Sequence, residues 1–194
     1  MVLTPGLVMV VAIPFAVAGF VATQAASSLI STGISPFFTN AEWAPTEGKY
    51  GAGPLIAGTL VSSAGAMAVV APAAIGWALR INLFASAKVA ALERAMVATL
   101  AGVPSVVFGL VGLFTLVPLL RPVRPPGLSL LAASVVLAAM CFPTTAIAAD
   151  AAIQAVDRAQ IVAARALGLG AWDTARVAVL PAAKAGLSAA CLLG

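Results

Sequence analysis

Long apolar runs, separated by short polar intervals, dominate the hydrophobic pattern of this chain. Continuous apolar runs occupy residues 3–30, 54–79, 95–120 and 128–149, and a fifth begins at residue 181 and continues to residue 194. A helix needs about 20 apolar residues to cross the hydrocarbon core of a bilayer. The pattern therefore predicts an all-α, polytopic integral membrane bundle of about five spans, of which the last is incomplete.

The composition supports a membrane protein. Of the 194 residues, 62% are hydrophobic and 8% are charged, and the mean hydropathy is +1.12. Soluble domains carry about 25% charged residues, so this chain lacks the polar material to cover a globular surface. The net charge of +4 is spread over the polar intervals, which argues for contact with membrane lipid and against a nucleic-acid partner.

The basic residues predict which ends of the spans face the cytoplasm. Cytoplasmic loops carry an excess of Lys and Arg. If residues 80–94 and 155–184 lie on one side of the membrane, that side holds seven basic residues, and the other side holds three. The seven are Arg80, Lys88, Arg94, Arg158, Arg165, Arg176 and Lys184, and the three are Lys49, Arg121 and Arg124. We expect the first side to be cytoplasmic.

Residues 155–186 differ from the apolar runs around them. As a helix, this stretch breaks at Gly168-Leu169-Gly170 and is closed by Leu180-Pro181, and Val156, Ile161, Ala164 and Leu167 fall near one face. Small residues before the break let another surface approach the backbone closely. Two interpretations follow from composition: a docking element for a partner, or an ordinary solvated loop between two spans.

A resemblance favours the first interpretation. The stretch resembles the EAA loop of permease subunits of binding-protein-dependent ABC importers, and the matching residues are Ala163, Ala164, Gly168, Leu180 and Pro181. Val162 stands where that family has Glu. The resemblance implies that the cytoplasmic loop 155–180 forms a coupling helix that sits in a cleft of an ATPase.

More of the chain, from residue 42 to residue 194, is similar to the phosphate importer permeases, the PstC type more than the PstA type. The similar strings are EWAP at 42–45, GAGPL at 51–55 and LAGVPSVVFG at 100–109. The resemblance implies a type I permease subunit that translocates inorganic phosphate across the bacterial cytoplasmic (inner) membrane. It also implies three partners: a cytoplasmic ABC ATPase dimer, a second, PstA-like permease subunit, and a periplasmic phosphate-binding protein.

The resemblance also predicts how the chain is divided. We expect a single permease domain over residues 1–194, with a first span and external loop at 1–53 and the permease core at 54–194. In relatives, the Leu-Leu-Gly that ends this sequence continues into a segment like GRALGET and a further helix. We therefore expect a C-terminally truncated form, either a fragment or a shortened product that does not transport.

The chemistry of the side chains argues against an enzyme. The chain has no His, and Cys141 and Cys191 lie in apolar runs without metal-ligand spacing. The acids lie at span ends or in loops, and Asp150, the deepest, is predicted to cap or anchor a helix. No GxxxxGK[ST] string is present, so we expect no cofactor here and ATP on a separate ATPase subunit. The alternatives are a permease for another oxyanion or small solute, and a structural membrane protein.

Overall fold

The computed structural model describes residues 3–122, 125, 127 and 129–194. Arg124, predicted on the outer side, lies outside these residues. The described chain is helical apart from one small hairpin and short connections. The helices are α1 (Leu3–Thr32), α2 (Ile34–Thr39), α3 (Gly53–Leu83), α4 (Ala87–Ala101), α5 (Ser105–Leu120), α6 (Leu130–Gln154), α7 (Arg158–Ala166) and α8 (Ala171–Leu193). The hairpin strands are β1 (Trp43–Ala44) and β2 (Lys49–Tyr50).

The chain forms two compact units, Met1–Thr59 and Leu60–Gly194. The first unit contains the hairpin, in which Trp43 pairs with Tyr50 and their rings meet edge to face at 6.1 Å. Lys49 Nζ lies 2.7 Å from Glu42 Oε2 and 3.4 Å from Glu47 Oε2. The hydrogen bond from Lys49 lowers the pKa of Glu42, and its bonds to both glutamates raise the pKa of Lys49.

The second unit is built from α4 to α8 and most of α3, packed through small side chains. Its main core contains Ala78 of α3, Ala149 of α6 and Ala183 of α8, together with larger residues such as Val179 and Leu187. Alanine and glycine at helix interfaces let backbones approach closely, which is how membrane helices gain packing energy. The alanine-rich runs of the sequence therefore become the helix contacts of the bundle.

The lengths of the helices confirm the predicted helical membrane fold. Among the described residues, α3, α6 and α8 are each long and apolar enough to cross a membrane. The pair α4 and α5 passes the same test together but is bent by 87° at the break between Ala101 and Ser105. The Gly102 and Val103 amides donate to Thr99 O and Leu100 O in tighter turns that end α4, and Pro104 disfavours a helical conformation of the residue before it.

The polar interval 80–94 is helical, contrary to the predicted loop. Helix α3 continues to Leu83, and α4 begins at Ala87 after Ser86, whose side chain accepts a hydrogen bond from the Val89 amide. Serine is a favoured N-cap because its oxygen satisfies an amide that has no partner within the helix. The charged residues of this interval therefore lie on two helices: Arg80 in the last turn of α3, Lys88 in the first turn of α4, and Glu93 and Arg94 in its middle.

The last helix begins earlier than the sequence suggested. Helix α8 starts at Ala171, so Leu180 and Pro181 lie inside it and do not close the preceding loop, and Lys184 lies inside it as well. Its 23 residues are long enough to span a bilayer. The sequence predicted an incomplete last span because it placed the start of this helix at Pro181, ten residues after its actual start at Ala171.

Two prolines lie in these helices directly after a widened turn. A π-helical turn occupies Gly112–Leu116 before Pro118 in α5, and another occupies Ala175–Val179 before Pro181 in α8. A proline ring meets the carbonyl four residues earlier in a regular α-helix. In both cases that carbonyl lies in the widened turn, which makes room for the ring and lets the helix continue.

Candidate functional site

The docking segment, residues 155–180, contains α7, the turn after it and the start of α8. Asp157 caps α7, because its Oδ1 accepts a hydrogen bond of 2.9 Å from the Ala159 amide. The helix ends in a turn where the Gly168 amide donates to Arg165 O at 2.9 Å and the Leu169 amide donates to Ala164 O at 3.3 Å. This pair of bonds is a Schellman motif, which places Gly168 at a backbone φ of +83° that favours glycine.

One face of α7 packs inward. Val156, before the helix, and Ala164 are buried, and Ile161 packs against the main core. Leu167 was predicted on this face but is 82% exposed. Its amide still donates to Ala163 O at 3.2 Å, so Leu167 is the last residue of the helical period, and it lies beyond the part of α7 that packs on the core.

The outward side of the docking segment is apolar and basic. Val162 is 65% exposed and Trp172 is 57% exposed, and Arg158 and Arg165 are exposed as well. Val162 shares the lining of one cleft with Arg158 and Arg165, and exposed apolar side chains beside charged residues are typical of a surface that meets another protein.

The five residues predicted from the EAA resemblance do not share one surface. Ala163 is exposed on α7 and Gly168 is exposed in the turn, whereas Ala164 is buried and anchors the helix. Leu180 is partly buried and Pro181 is exposed, both within α8. The structure therefore brings Ala163 and Gly168 to the outward side and assigns Ala164 to the inward side. Their part in coupling stays a prediction.

A cleft of about 350 Å³ separates α7 from the C-terminal ends of α3 and α6. Its lining mixes polar and apolar side chains, contributed by Asn82, Leu83, Ile153, Gln154, Val156, Arg158, Ile161, Val162 and Arg165. The end of α3, at Asn82 and Leu83, and the basic residues Arg158 and Arg165 of α7 therefore face the same cleft.

A polar cluster, formed by Asn82, Arg94, Asp150 and Gln154, ties three helices together at this end. Arg94 of α4 donates two hydrogen bonds to the Asp150 carboxylate of α6, Nε to Oδ2 at 2.7 Å and Nη2 to Oδ1 at 2.9 Å. Asn82 of α3 donates to Asp150 Oδ1 at 2.7 Å and accepts from Arg94 Nη2 at 3.0 Å. Gln154 donates to Asp150 Oδ2 at 2.7 Å. A bidentate pair of Arg with a carboxylate is among the strongest hydrogen-bonded contacts in proteins.

The prediction that Asp150 caps or anchors a helix missed this cluster. The Asp150 side chain is only 9% exposed. It is held by Arg94 and Asn82, which lie 56 and 68 positions away in the sequence. The one available signal was an unpaired acid at the end of an apolar run, since such a group requires a partner. The sequence contains several basic residues that could have supplied it.

A second ion pair joins α3 to α4 without reaching α6. Arg80 Nη2 and Trp77 Nε1 both donate to Glu93 Oε2, the tryptophan at 3.0 Å. Half of the Arg80 side chain is exposed, so solvent screens this pair more than the Arg94–Asp150 pair. Among the residues that the structure describes, no group of three or more His, Cys, Asp or Glu side chains could hold a metal ion.

Comparisons with known proteins identify the family. The chain matches the family described as "Binding-protein-dependent transport system inner membrane component" over residues 71–193. It is 32% identical over 201 residues to the "Probable ABC transporter permease protein YqgH" of Bacillus subtilis (strain 168), a match that covers 100% of this chain and 65% of that protein. No solved structure matches significantly.

Two further relatives carry more specific names. The "Phosphate transport system permease protein PstC" of Mycobacterium leprae (strain TN) is 32% identical over 181 residues, covering 81% of this chain and 57% of that protein. The protein of the same name from Xylella fastidiosa (strain Temecula1 / ATCC 700964) is 29% identical, covering 81% and 55%. The chain thus spans between 55% and 65% of the length of these three relatives.

The family match covers α4 to α8 and the second half of α3, including the docking segment and the polar cluster. Together with the apolar helices, it identifies a multi-pass protein of the cytoplasmic membrane. The chain belongs to the family of inner-membrane components of binding-protein-dependent transport systems.

Proposed function

We propose that this chain is a transmembrane permease subunit of an ATP-driven ABC importer and that it carries inorganic phosphate across the cytoplasmic membrane. The observation that carries the proposal is the docking segment. Its inward side is held by the core of the membrane helices, and its outward side presents apolar and basic residues. An element with one anchored face and one free face can pass movement from a partner to the helices.

In this proposal the docking segment meets a cytoplasmic ABC ATPase dimer. Ala163 and Gly168 lie on the contact side, and Ala164 holds α7 to the bundle. Leu180 and Pro181 lie further along, where α8 continues past its widened turn. Residues 54–194 supply the permease core of a single permease domain, whereas residues 1–53 supply the first span and the external loop.

The contact with the ATPase is apolar at Val162. The side chain is 65% exposed and stands where the resembling loops carry Glu. Val162 and Trp172 are both exposed, Val162 at the mouth of the cleft, so burial of apolar area replaces the acidic contact as the main source of affinity. The exposed Arg158 and Arg165 supply charge for acidic groups on the ATPase.

The permease itself performs no bond chemistry in this proposal. ATP binds to the separate ATPase subunits, and this chain needs no cofactor. Glu93 and Asp150 join helices in this arrangement, because both are engaged by arginines and hydrogen-bond donors.

The proposed solute is inorganic phosphate, since the Mycobacterium and Xylella relatives are named as phosphate transport permeases. A second, PstA-like permease subunit and a periplasmic phosphate-binding protein complete the importer. The alternative is a permease for another oxyanion or small solute, because the name of the Bacillus relative specifies no solute. Uptake of radiolabelled phosphate by a permease-deleted strain that expresses this chain with its partners distinguishes the two.

Replacement of Gly168 by Asp is expected to abolish co-purification of the ATPase while the protein still inserts into the membrane. The backbone of Gly168 has a φ of +83°, which a residue with a Cβ adopts only with strain, although no neighbouring atom would touch that Cβ. The substitution adds this strain and a negative charge to the exposed turn, and it leaves the spans unchanged. The measurement is a pull-down of the co-expressed ATPase in detergent.

Gly168→Asn is the matched control, because Asn has the size of Asp and a similar tolerance of the left-handed conformation but adds no charge to the turn. It is expected to retain most of the ATPase. Normal binding by Gly168→Asp would show that the turn does not form the contact. No binding by the wild-type chain would contradict the proposed function itself.

A further inference from the structure

The polar cluster is the most completely bonded group of side chains at the cytoplasmic end of the bundle. Both oxygens of Asp150 accept two hydrogen bonds each, from Arg94 and Asn82 on one side and from Arg94 and Gln154 on the other. The donors come from α3, α4 and α6. A fully satisfied network of this kind holds its members in a single arrangement.

The cluster is continuous with the support of the docking segment. Asn82 and Gln154 line the cleft whose opposite wall is formed by Arg158, Val162 and Arg165 of α7. Helix α6 ends at Gln154, and α7 starts at Arg158 after a connection of three residues. A displacement of α7 therefore reaches the end of α6 through this short connection, and the cluster links that end to α3 and α4.

Stability alone is a poor explanation for such a cluster. A buried ion pair costs desolvation energy, and a well-packed apolar pair often stabilises a protein equally well. The main core already joins α3, α6 and α8 through apolar contacts. The bidentate geometry adds what apolar contacts lack, a fixed relative position of the helix ends.

We propose that the polar cluster makes α7 and the cytoplasmic ends of α3, α4 and α6 move as one body, so that Arg94 and Asp150 are positioning residues for coupling. This inference rests on the proposed function, because coupling requires an ATPase on the docking segment. Loss of the cluster leaves α7 able to bind the ATPase and packed on the main core, but α4 is no longer tied to the end of α6, so the movement of α7 no longer reaches α4.

The test replaces both charges together. Arg94→Met combined with Asp150→Leu removes the ion pair without leaving a buried charge, so the helices still assemble. A second variant, Asn82→Ala, keeps the ion pair and removes only the arm that reaches α3. The matched control is Arg80→Met combined with Glu93→Leu, which removes the other α3–α4 pair and does not touch α6.

The first readout is the position of α7. Spin labels are placed at Gln160→Cys on α7 and Leu92→Cys on α4, both exposed sites, after Cys141 and Cys191 have been replaced by Ala. We expect one narrow distance distribution in the otherwise unchanged chain and in the Arg80/Glu93 control, with and without ATP. We expect a broadened or shifted distribution in the Arg94/Asp150 variant and a smaller broadening in Asn82→Ala.

The second readout is coupling, measured as phosphate taken up per ATP hydrolysed in vesicles that contain the whole importer. We expect this ratio to fall about tenfold in the Arg94/Asp150 variant, within the range found for substitutions along physical coupling networks, while the amount of bound ATPase is unchanged. An unaltered distance distribution in this variant, or a ratio equal to that of the wild-type chain, would overturn the inference. Failure of the wild-type chain to bind the ATPase would contradict the proposed function. In that case, the spin-label distances measured in the chain alone still test whether the polar cluster links the helices.

Discussion

Replacement of Asp150 alone by Ala is expected to lower the free energy of unfolding in detergent by about 3 kcal/mol. Removal of one partner of a buried ion pair leaves the other charge uncompensated, and Arg94 would lose both of its bonds to the carboxylate. The expected value lies at the lower end of the usual range because the Arg94 side chain is 37% exposed, so water can solvate part of it. The measurement is an equilibrium unfolding titration followed by circular dichroism.

Glu93→Ala is the matched control for Asp150→Ala. This variant also removes an acid that pairs with an arginine, Arg80, at the same end of the bundle. The Arg80 side chain is half exposed, so water can solvate its charge once Glu93 is gone. We expect a clearly smaller loss of stability from this variant. Equal losses from the two variants would show that the Arg94–Asp150 pair is no more important to stability than a solvated one.

The second large loss of stability is expected from a substitution at the contact between α6 and α8. A Cβ added at Gly186 would lie 2.7 Å from the Cβ of Ala152 and 3.5 Å from its Cα, so one helix must shift to accept it. Gly186→Ala is therefore expected to lower the free energy of unfolding by about 1–3 kcal/mol, the usual cost of overpacking. The same unfolding titration measures it.

Gly76→Ala provides the control for this substitution. Gly76 lies in the spanning helix α3, and an added Cβ there would meet nothing within 4 Å. The methyl group reduces the backbone freedom of the unfolded chain, so this variant is expected to be neutral or to gain up to about 1 kcal/mol. A loss at Gly76 similar to that at Gly186 would mean that close packing at Gly186 is not the cause.

Much of the membrane architecture could be read directly from the sequence. The run at 54–79 became α3 and the run at 128–149 became α6, with boundaries that differ by a few residues. Such runs are informative because a span must be apolar over its whole length whatever its neighbours are. The break at Gly168 was also visible, since glycine at the end of a helical pattern signals a left-handed turn by itself.

The bonding of the charges in the interval 80–94 depends on residues that are far apart in the sequence. The sequence indicates a polar interval between two spans, whereas the structure pairs Arg94 with Asp150 across 56 positions. The choice of which base meets which acid lies outside the window over which a local pattern carries information.

The place of Pro181 is a local feature that the composition does not indicate. The sequence predicts that Leu180-Pro181 closes the loop, but the π-helical turn before the proline ring lets the helix continue through it.

The sequence by itself determined that this is a helical membrane protein, which ends of its helices carry the positive charge, and where the docking segment turns. These properties follow from the cost of placing polar groups in lipid and from the backbone freedom of glycine, both of which act locally. Only the tertiary structure decided that Ala164 faces inward while Val162 and Leu167 face outward, and that Asn82, Arg94, Asp150 and Gln154 form one cluster. Burial and hydrogen-bond pairing depend on which helices become neighbours, and that choice is made by the packing of the whole bundle.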